Sequence, residues 1–378
     1  MKIFLVAGEP SGDALGARLM DALRALRGDV AFFGVGGPAM GRAGLRSLFP
    51  LEEITANGFL DVLARVRSLR ARLEETAHAA IATRPDALVL IDAPDFTHRV
   101  ARRVRAAAPS IPIVDYVSPT VWAWRPGRAA RMRAYVDRVL ALFPFEPAAH
   151  QRLGGPPCVF VGHPLVEQLD VLRPNEEERH RRAQKPFTVL AMPGSRRSEI
   201  LRLAPVFGEA LGAVARATPI HVIAPTPPAA ESLLRAAVAD WPVKPHIVTD
   251  EAEKFAAFRV ARAALAASGT ATLELALAQT PFVAAYRVAP IEAFIARRVI
   301  ATPSIILPNL IVGQNAAPEF LQEECRAQAL ARALGALLLT DDARSAQTQA
   351  FAGLPQLLTP AQGAPSEAAA RAICELLE

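Results

Sequence analysis

Residues Ala267 to Leu275 read A-S-G-T-A-T-L-E-L, and the apolar run that leads into them, Ala263 to Ala267, has the composition of a buried strand. A strand that runs through a glycine into a helix is the basic unit of an α/β fold. Gly269 is expected to let the backbone turn tightly, while Ser268, Thr270 and Thr272 bring hydroxyls beside the unpaired N–H groups of a helix start. A phosphate fits such a place. Glu274 follows roughly one turn into the helix, where a carboxylate suits a sugar diol. Together these residues suggest a nucleotide. An ordinary serine N-cap with an exposed glutamate is the competing reading of this segment alone.

The same unit recurs along the chain. Short apolar runs at Lys2–Ala7, Val30–Val35, Ala87–Ile91, Ile113–Val117 and Arg138–Leu142 alternate with segments of helical period, the βαβ pattern of a parallel sheet. A polar stretch from Arg173 to Lys185 intervenes. The pattern then restarts at Phe187–Met192, Ile220–Ala224, His246–Val248, Ala263–Ala267 and Phe282–Ala285. The expected architecture is α/β, with two Rossmann-like, doubly wound parallel-sheet domains facing a cleft and ligands beyond the carboxyl ends of the strands. Residues 1–170 form the first domain and 171–360 the second, with 361–378 a terminal helix that packs back on the first.

Composition narrows the function classes. The chain has 378 residues, 52% of them hydrophobic and 21% charged, which is globular rather than disordered. No run approaches the roughly 20 apolar residues of a membrane span, and Met1 to Ala7 leads straight into a strand, so a cytoplasmic protein is expected. Three isolated cysteines, Cys158, Cys325 and Cys374, argue against a disulfide framework or a zinc cluster. A net charge of +5 favours an anionic partner without choosing among nucleic acid, phosphorylated substrate and lipid surface. The arginine-rich segments Arg65 to Arg72 and Arg179 to Arg182 lack interleaved aromatics, which disfavours nucleic acid.

Four loops carry the chemistry. The first strand leads into Gly8-Glu9-Pro10-Ser11-Gly12-Asp13, which is Gly-rich but lacks the P-loop lysine. Glu9, Ser11 and Gly12 there either line a pocket for a polar group or form a plain Ser11 N-cap. Gly34 to Ala39, G-V-G-G-P-A, formally matches the dinucleotide fingerprint, but Pro38 sits among the N–H groups that would face a pyrophosphate. The third strand ends in Ile91-Asp92-Ala93-Pro94-Asp95-Phe96; Asp95 reads as a general base or as a helix cap, with Asp92 in reserve. The second half opens with Met192-Pro193-Gly194-Ser195-Arg196-Arg197-Ser198-Glu199, where the Arg196 fork suits a diphosphate and Ser195 or Ser198 reads as a cap. Asn309, after the apolar run Ile305 to Leu307, reads as a turn former, a base reader or a phosphate ligand. No D-x-D or H-x-x-x-H spacing offers a metal site, and G-x-S-x-G is absent.

These strings, with Y-V-S-P-T-V-W-A-W-R from Tyr116, P-F-E from Pro144, V-G-H-P-L from Val161, L-P-N from Leu307 and L-Q-E-E-C from Leu321, occur in the order seen in bacterial lipid-A-disaccharide synthases. The chain resembles that family nearly end to end. It departs mildly at Pro10, at Thr120 and at Gln314-Asn315-Ala316-Ala317. The resemblance implies a GT-B glycosyltransferase that joins UDP-2,3-diacylglucosamine to 2,3-diacylglucosamine 1-phosphate and releases UDP, on the inner face of the inner membrane. It places Arg196 near the diphosphate, Glu274 near the ribose, Asn309 near the nucleotide and Asp95 as the candidate catalytic acid. No cofactor, no metal and no nucleic-acid partner are expected, and a homodimer is admitted.

Two alternatives are a GT-B-type UDP-sugar epimerase or transferase acting on a soluble substrate, and a basic nucleic-acid-binding protein. A last feature favours a lipid-facing enzyme. Phe59, Val62, Leu63, Val66, Leu69 and Leu73 fall on one helical stripe flanked by Arg65, Arg67 and Arg72, the pattern of a helix lying on an anionic membrane. A core-facing amphipathic helix is the ordinary reading of such a stripe. Arg70, inside the stripe, is awkward for a helix buried in protein.

Overall fold

The computed structural model describes residues 1–55, 66–289, 292–294 and 302–378. The chain divides into two compact units, Met1–Pro164 with Leu358–Glu378, and Leu165–Leu357. Each is built on a six-stranded sheet whose pairings are all parallel.

In unit 1 the strands are β1 Lys2–Ala7, β2 Ala31–Val35, β3 Ala87–Ile91, β4 Ile113–Tyr116, β5 Arg138–Ala141 and β6 Cys158–Phe160, in the order β2-β1-β3-β4-β5-β6. In unit 2 they are β7 Phe187–Met192, β8 Ile220–Pro225, β9 His246–Val248, β10 Ala263–Ala267, β11 Phe282–Tyr286 and β12 Glu319–Leu321, in the order β12-β11-β10-β7-β8-β9. The central strands β3, β7 and β10 are buried along their whole length, as strands covered on both faces must be. That is why they read as continuous apolar runs. The edge strands β6 and β12 have partly exposed residues and only three positions each, and neither is among the runs read from the sequence. The run at Ile305 to Leu307 is not a strand; Leu307 opens a short helix with Pro308 in its first turn.

The helices used below are α1 Pro10–Arg27, α2 Pro38–Arg42, α3 Val66–Thr83, α4 Pro94–Ala107, α5 Glu176–Ala183, α6 Arg197–Ala217, α7 Glu251–Val260, α8 Thr270–Leu277, α9 Leu307–Val312, α10 Ala327–Leu339 and α11 Pro365–Leu377. Helix α11 belongs to unit 1, where Ala369, Ala370, Ile373 and Cys374 join the core formed with Leu15, Leu19 and Leu23 of α1. Of the stripe residues, Phe59, Val62, Leu63 and Arg65 lie outside the described residues. Val66 is 48% exposed, Leu69 packs against the core on that face, and Leu73 is buried.

One arginine of each run is an internal tie. Arg182 of α5 donates to the carbonyls of Phe258 and Arg259 at the end of α7, to those of Ala278 and Gln279 just past α8, and to the Thr280 hydroxyl. Carbonyls at a helix end carry partial negative charge, and a guanidinium fork satisfies several at once. Arg72 is bound to Glu53 and Glu75.

Three strings that are distant in sequence form one buried knot in unit 1. The Trp122 indole N–H and the Phe143 amide both donate to the Glu146 carboxylate at 3.0 Å, the Ser118 hydroxyl lies 2.9 Å from His150 Nε2, and His163 stacks on Phe143. Glu146 is only 1% exposed. Burial pushes its carboxyl up from the ordinary 4.5 to about 7, against hydrogen bonds that favour the ionised form. A carboxyl held above its unfolded value binds its proton more tightly in the folded chain. Its contribution to stability is therefore present below about 4.5 and is lost as pH rises through about 7. In Glu146→Gln, unfolding free energy measured by denaturant titration is expected to vary less with pH across that window than in the parent. An unchanged pH dependence would show that folding does not raise the Glu146 carboxyl.

Candidate functional site

Parallel sheets place their useful loops where the strand order reverses. In unit 2 that point lies between β7 and β10, and a cavity of about 410 Å³ opens there. Its wall includes Ser195 and Arg196 after β7, Thr226 after β8, Asp250 and Lys254 around the start of α7, and Ser268, Gly269, Thr270 and Glu274 after β10.

The loop after β7 is held from within. Glu199 Oε2 accepts the amides of Ser195 and Arg196 at 3.2 and 3.3 Å, and its Oε1 lies 3.1 Å from Arg196 Nη1. Arg196, not Ser195, occupies the N-cap position of α6. Gly194 has φ +111, and a Cβ there would stand 2.5 Å from the Glu199 Cβ, so glycine is required for the turn. The Arg196 side chain remains 79% exposed, a fixed charge at the cavity rim.

The loop after β10 is open in a different sense. Ser268 caps nothing: its hydroxyl donates to the Ile305 carbonyl at 2.9 Å. Gly269 is the N-cap without a side-chain bond, and its φ of 165 is extended backbone, so the tight turn expected there is absent. A Cβ at Gly269 would meet nothing within 4 Å. The amides of Gly269, Thr270 and Ala271 precede the first bond of the helix start, from the Thr272 N–H to the Gly269 carbonyl at 3.1 Å. The start of α8 is thus an electropositive edge of the cavity.

Glu274 reaches the same cavity, but it has a partner that sequence reading missed. Lys254 Nζ lies 2.8 Å from Glu274 Oε1, with both side chains mostly buried. The two lie 20 residues apart in sequence on different helices, so no local pattern marks the pair. Thr226 was missed too. It is 7% exposed, lines the cavity, and its hydroxyl has no partner among the described residues.

Asn309 is not in the wall. It is 2% exposed in α9; its Nδ2 donates to Asn315, Ala317 and Glu319, and its Oδ1 accepts the amides of Ala316 and Ala317. Its amide is committed to fastening the loop after Gly313.

In unit 1 the strand order reverses between β1 and β3, and a second cavity of about 460 Å³ lies there, lined by Glu9, Asp95 and residues of α3 and α4. The loops approach closely: a Cβ on Gly8 would stand 2.2 Å from the Ala93 Cβ. Asp92 and Ala93 have φ +58 and +46, a costly pair of left-handed residues. Asp92 holds them, its Oδ1 accepting the Ala93 amide at 2.8 Å and its Oδ2 the Ser11 hydroxyl at 3.2 Å. Ser11 therefore does not cap α1, whose N-cap is Glu9; Gly12 is buried against the Ile91 carbonyl. Asp95 does not cap α4 either, since Ala93 is the N-cap. Its carboxylate is 81% exposed and lies 3.0 Å from Arg128 Nη2.

The G-V-G-G-P-A loop is filled. Asp13 accepts the amides of Gly37, Ala39 and Met40 at 2.8 to 2.9 Å, so an internal carboxylate occupies the place of a pyrophosphate. Among the described residues no group of His, Cys, Asp and Glu is arranged to hold a metal ion, and no helix is long and apolar enough to cross a membrane.

A family model described as lipid-A-disaccharide synthetase matches residues 3–373. The chain belongs to that family. The lipid-A-disaccharide synthase of Nitrobacter winogradskyi is 55% identical over 378 residues, covering 100% of this chain and 96% of the relative. That of Bradyrhizobium diazoefficiens is 55% identical over 371 residues, 98% of this chain and 95% of the relative. The chain is accordingly a glycosyltransferase of lipid A biosynthesis. Solved structures agree in fold at low identity. A UDP-GlcNAc 2-epimerase from Neisseria meningitidis bound to UDP-GlcNAc aligns with TM-score 0.65 at 11% identity over 100% of this chain and 99% of the other. Acinetobacter baumannii MurG aligns with TM-score 0.57 at 16% identity, over 99% of each. The fold is GT-B.

Proposed function

We propose that the cavity of unit 2 takes the UDP part of UDP-2,3-diacylglucosamine, and that the acceptor is 2,3-diacylglucosamine 1-phosphate bound by unit 1. The observation that carries this is the meeting, at one switch point, of the exposed Arg196 guanidinium, the open start of α8 and the Glu274 carboxylate. The first two meet a diphosphate and the third a ribose diol. Thr226, buried beside the same space, offers a hydroxyl to the base or sugar.

The chemistry then needs one proton transfer and help for a departing charge. The acceptor hydroxyl oxygen forms a bond to the anomeric carbon of the donor as the bond from that carbon to the diphosphate oxygen breaks. Asp95 takes the hydroxyl proton, and UDP leaves with the electron pair. Arg196 and the α8 amides oppose the charge that develops on it. Asp95 suits the base role better than Asp92, whose two oxygens are already engaged in holding the loop. Because both substrates carry acyl chains, the enzyme works as a peripheral protein at the inner face of the inner membrane. The exposed Val66 beside the exposed Arg67 fits that setting.

Arg196→Ala is expected to weaken UDP binding in calorimetry by about tenfold or more, the loss of a charged hydrogen-bond partner. Equal affinity would remove Arg196 from the diphosphate site. Asp95→Asn should retain UDP affinity and fold while losing disaccharide formation, followed by mass spectrometry of the lipid product, by about a hundredfold or more. Asp92→Asn should instead lower thermal stability. Near-parental turnover in Asp95→Asn, with a well-folded but inactive Asp92→Asn, would transfer the base role to Asp92.

A further inference from the structure

The cavity of unit 1 has a divided wall. Ile54, Val66, Leu69, Leu73 and Phe96 make one part apolar, and Arg70, Arg99 and Arg103 make another strongly basic. Its charges are not equivalent. Arg103 is neutralised by Glu74, with Nη2 2.9 Å from Oε1, and that hydrogen bond holds the Glu74 carboxyl below its ordinary range. Asp95 is matched by Arg128. Arg70 and Arg99 have no ion-pair partner among the described residues, and they stand on the packed helices α3 and α4 that wall the same space. Glu9 is the remaining carboxylate of the lining. Two exposed guanidiniums outside any ion pair among the described residues, beside apolar surface at a switch point, suit a dianion attached to hydrocarbon.

We infer that Arg70 and Arg99 bind the phosphomonoester of an acylated sugar phosphate, and that Val66, Leu69 and Phe96 receive the first part of its acyl chains. The inference rests on the acceptor reading above and deepens it, assigning to two arginines the discrimination between an acceptor with a phosphate and one without. It also explains why an arginine interrupts the apolar stripe of α3. A fork at Arg70 points recognition at the headgroup end of a molecule whose tail lies along the neighbouring apolar residues. Arg67, on the same helix, is exposed but is not part of the wall.

The test is equilibrium binding to the full chain in detergent micelles, with no donor present, so that it stands apart from turnover. Two ligands are compared, diacylglucosamine 1-phosphate and the same lipid without its phosphate. The parent should bind the phosphorylated lipid more tightly. In Arg70→Gln/Arg99→Gln that affinity should fall about tenfold or more while the dephosphorylated lipid binds as before, and Arg99→Lys should lose less than Arg99→Gln. Inorganic phosphate should compete with the phosphorylated lipid in the parent and not in the double variant. Equal losses for both lipids, or a preserved preference in the double variant, would overturn the assignment. So would reduced flotation with anionic vesicles at unchanged lipid affinity, which would give the two arginines to bilayer headgroups. If the phosphorylated lipid binds as described yet no disaccharide forms with donor present, the cradle stands and the transfer reading fails.

Discussion

A parallel hydrogen-bond ladder sends every strand end to the same edge of its sheet, and the point where strand order reverses leaves a gap that two neighbouring loops cannot close. That constraint governs both units. In unit 2 the gap falls between β7 and β10, in unit 1 between β1 and β3, and each holds a cavity edged by helix starts and charged side chains. The sheets supply rigid positions; the loops supply the chemistry.

What separates a ligand site from ordinary structure in this molecule is whether the protein fills its own electropositive places. Asp13 fills the amides of Gly37, Ala39 and Met40, and Glu199 fills those of Ser195 and Arg196. Arg182 does the converse for the carbonyls at the ends of α7 and α8. The start of α8, by contrast, has neither a side-chain cap nor anything near the missing Cβ of Gly269. A filled nest is a fixed part of the fold, whereas an open one of the same geometry favours an incoming anion.

Much of this was legible in the sequence, for physical reasons. Strands buried on both faces must be apolar throughout, so β1, β3, β7 and β10 announce themselves, and a strand followed by glycine and hydroxyl residues marks a helix start at the ligand edge. Ser195, Arg196, Ser268, Gly269, Thr270 and Glu274 do line one cavity. Of the three-residue edge strands, β9 was legible at His246–Val248, whereas β6 and β12 were not. Hydrogen-bond partners are decided by tertiary placement, which is why Asn309 reads as a ligand residue and turns out to be a fastening, and why the pairing of Lys254 with Glu274 has no local signature. The roles of Asp92 and Asp95 separate only once the loop is seen to need Asp92 for its two left-handed residues.

We propose the start of α8 and Arg196 as the diphosphate site of the donor. The most direct measurement is a crystal structure of the protein with UDP. The diphosphate should lie against the amides of residues 269–271 and the Arg196 guanidinium, with the ribose hydroxyls toward Glu274. A nucleotide bound away from this cavity, or one whose diphosphate contacts neither Arg196 nor α8, would contradict it.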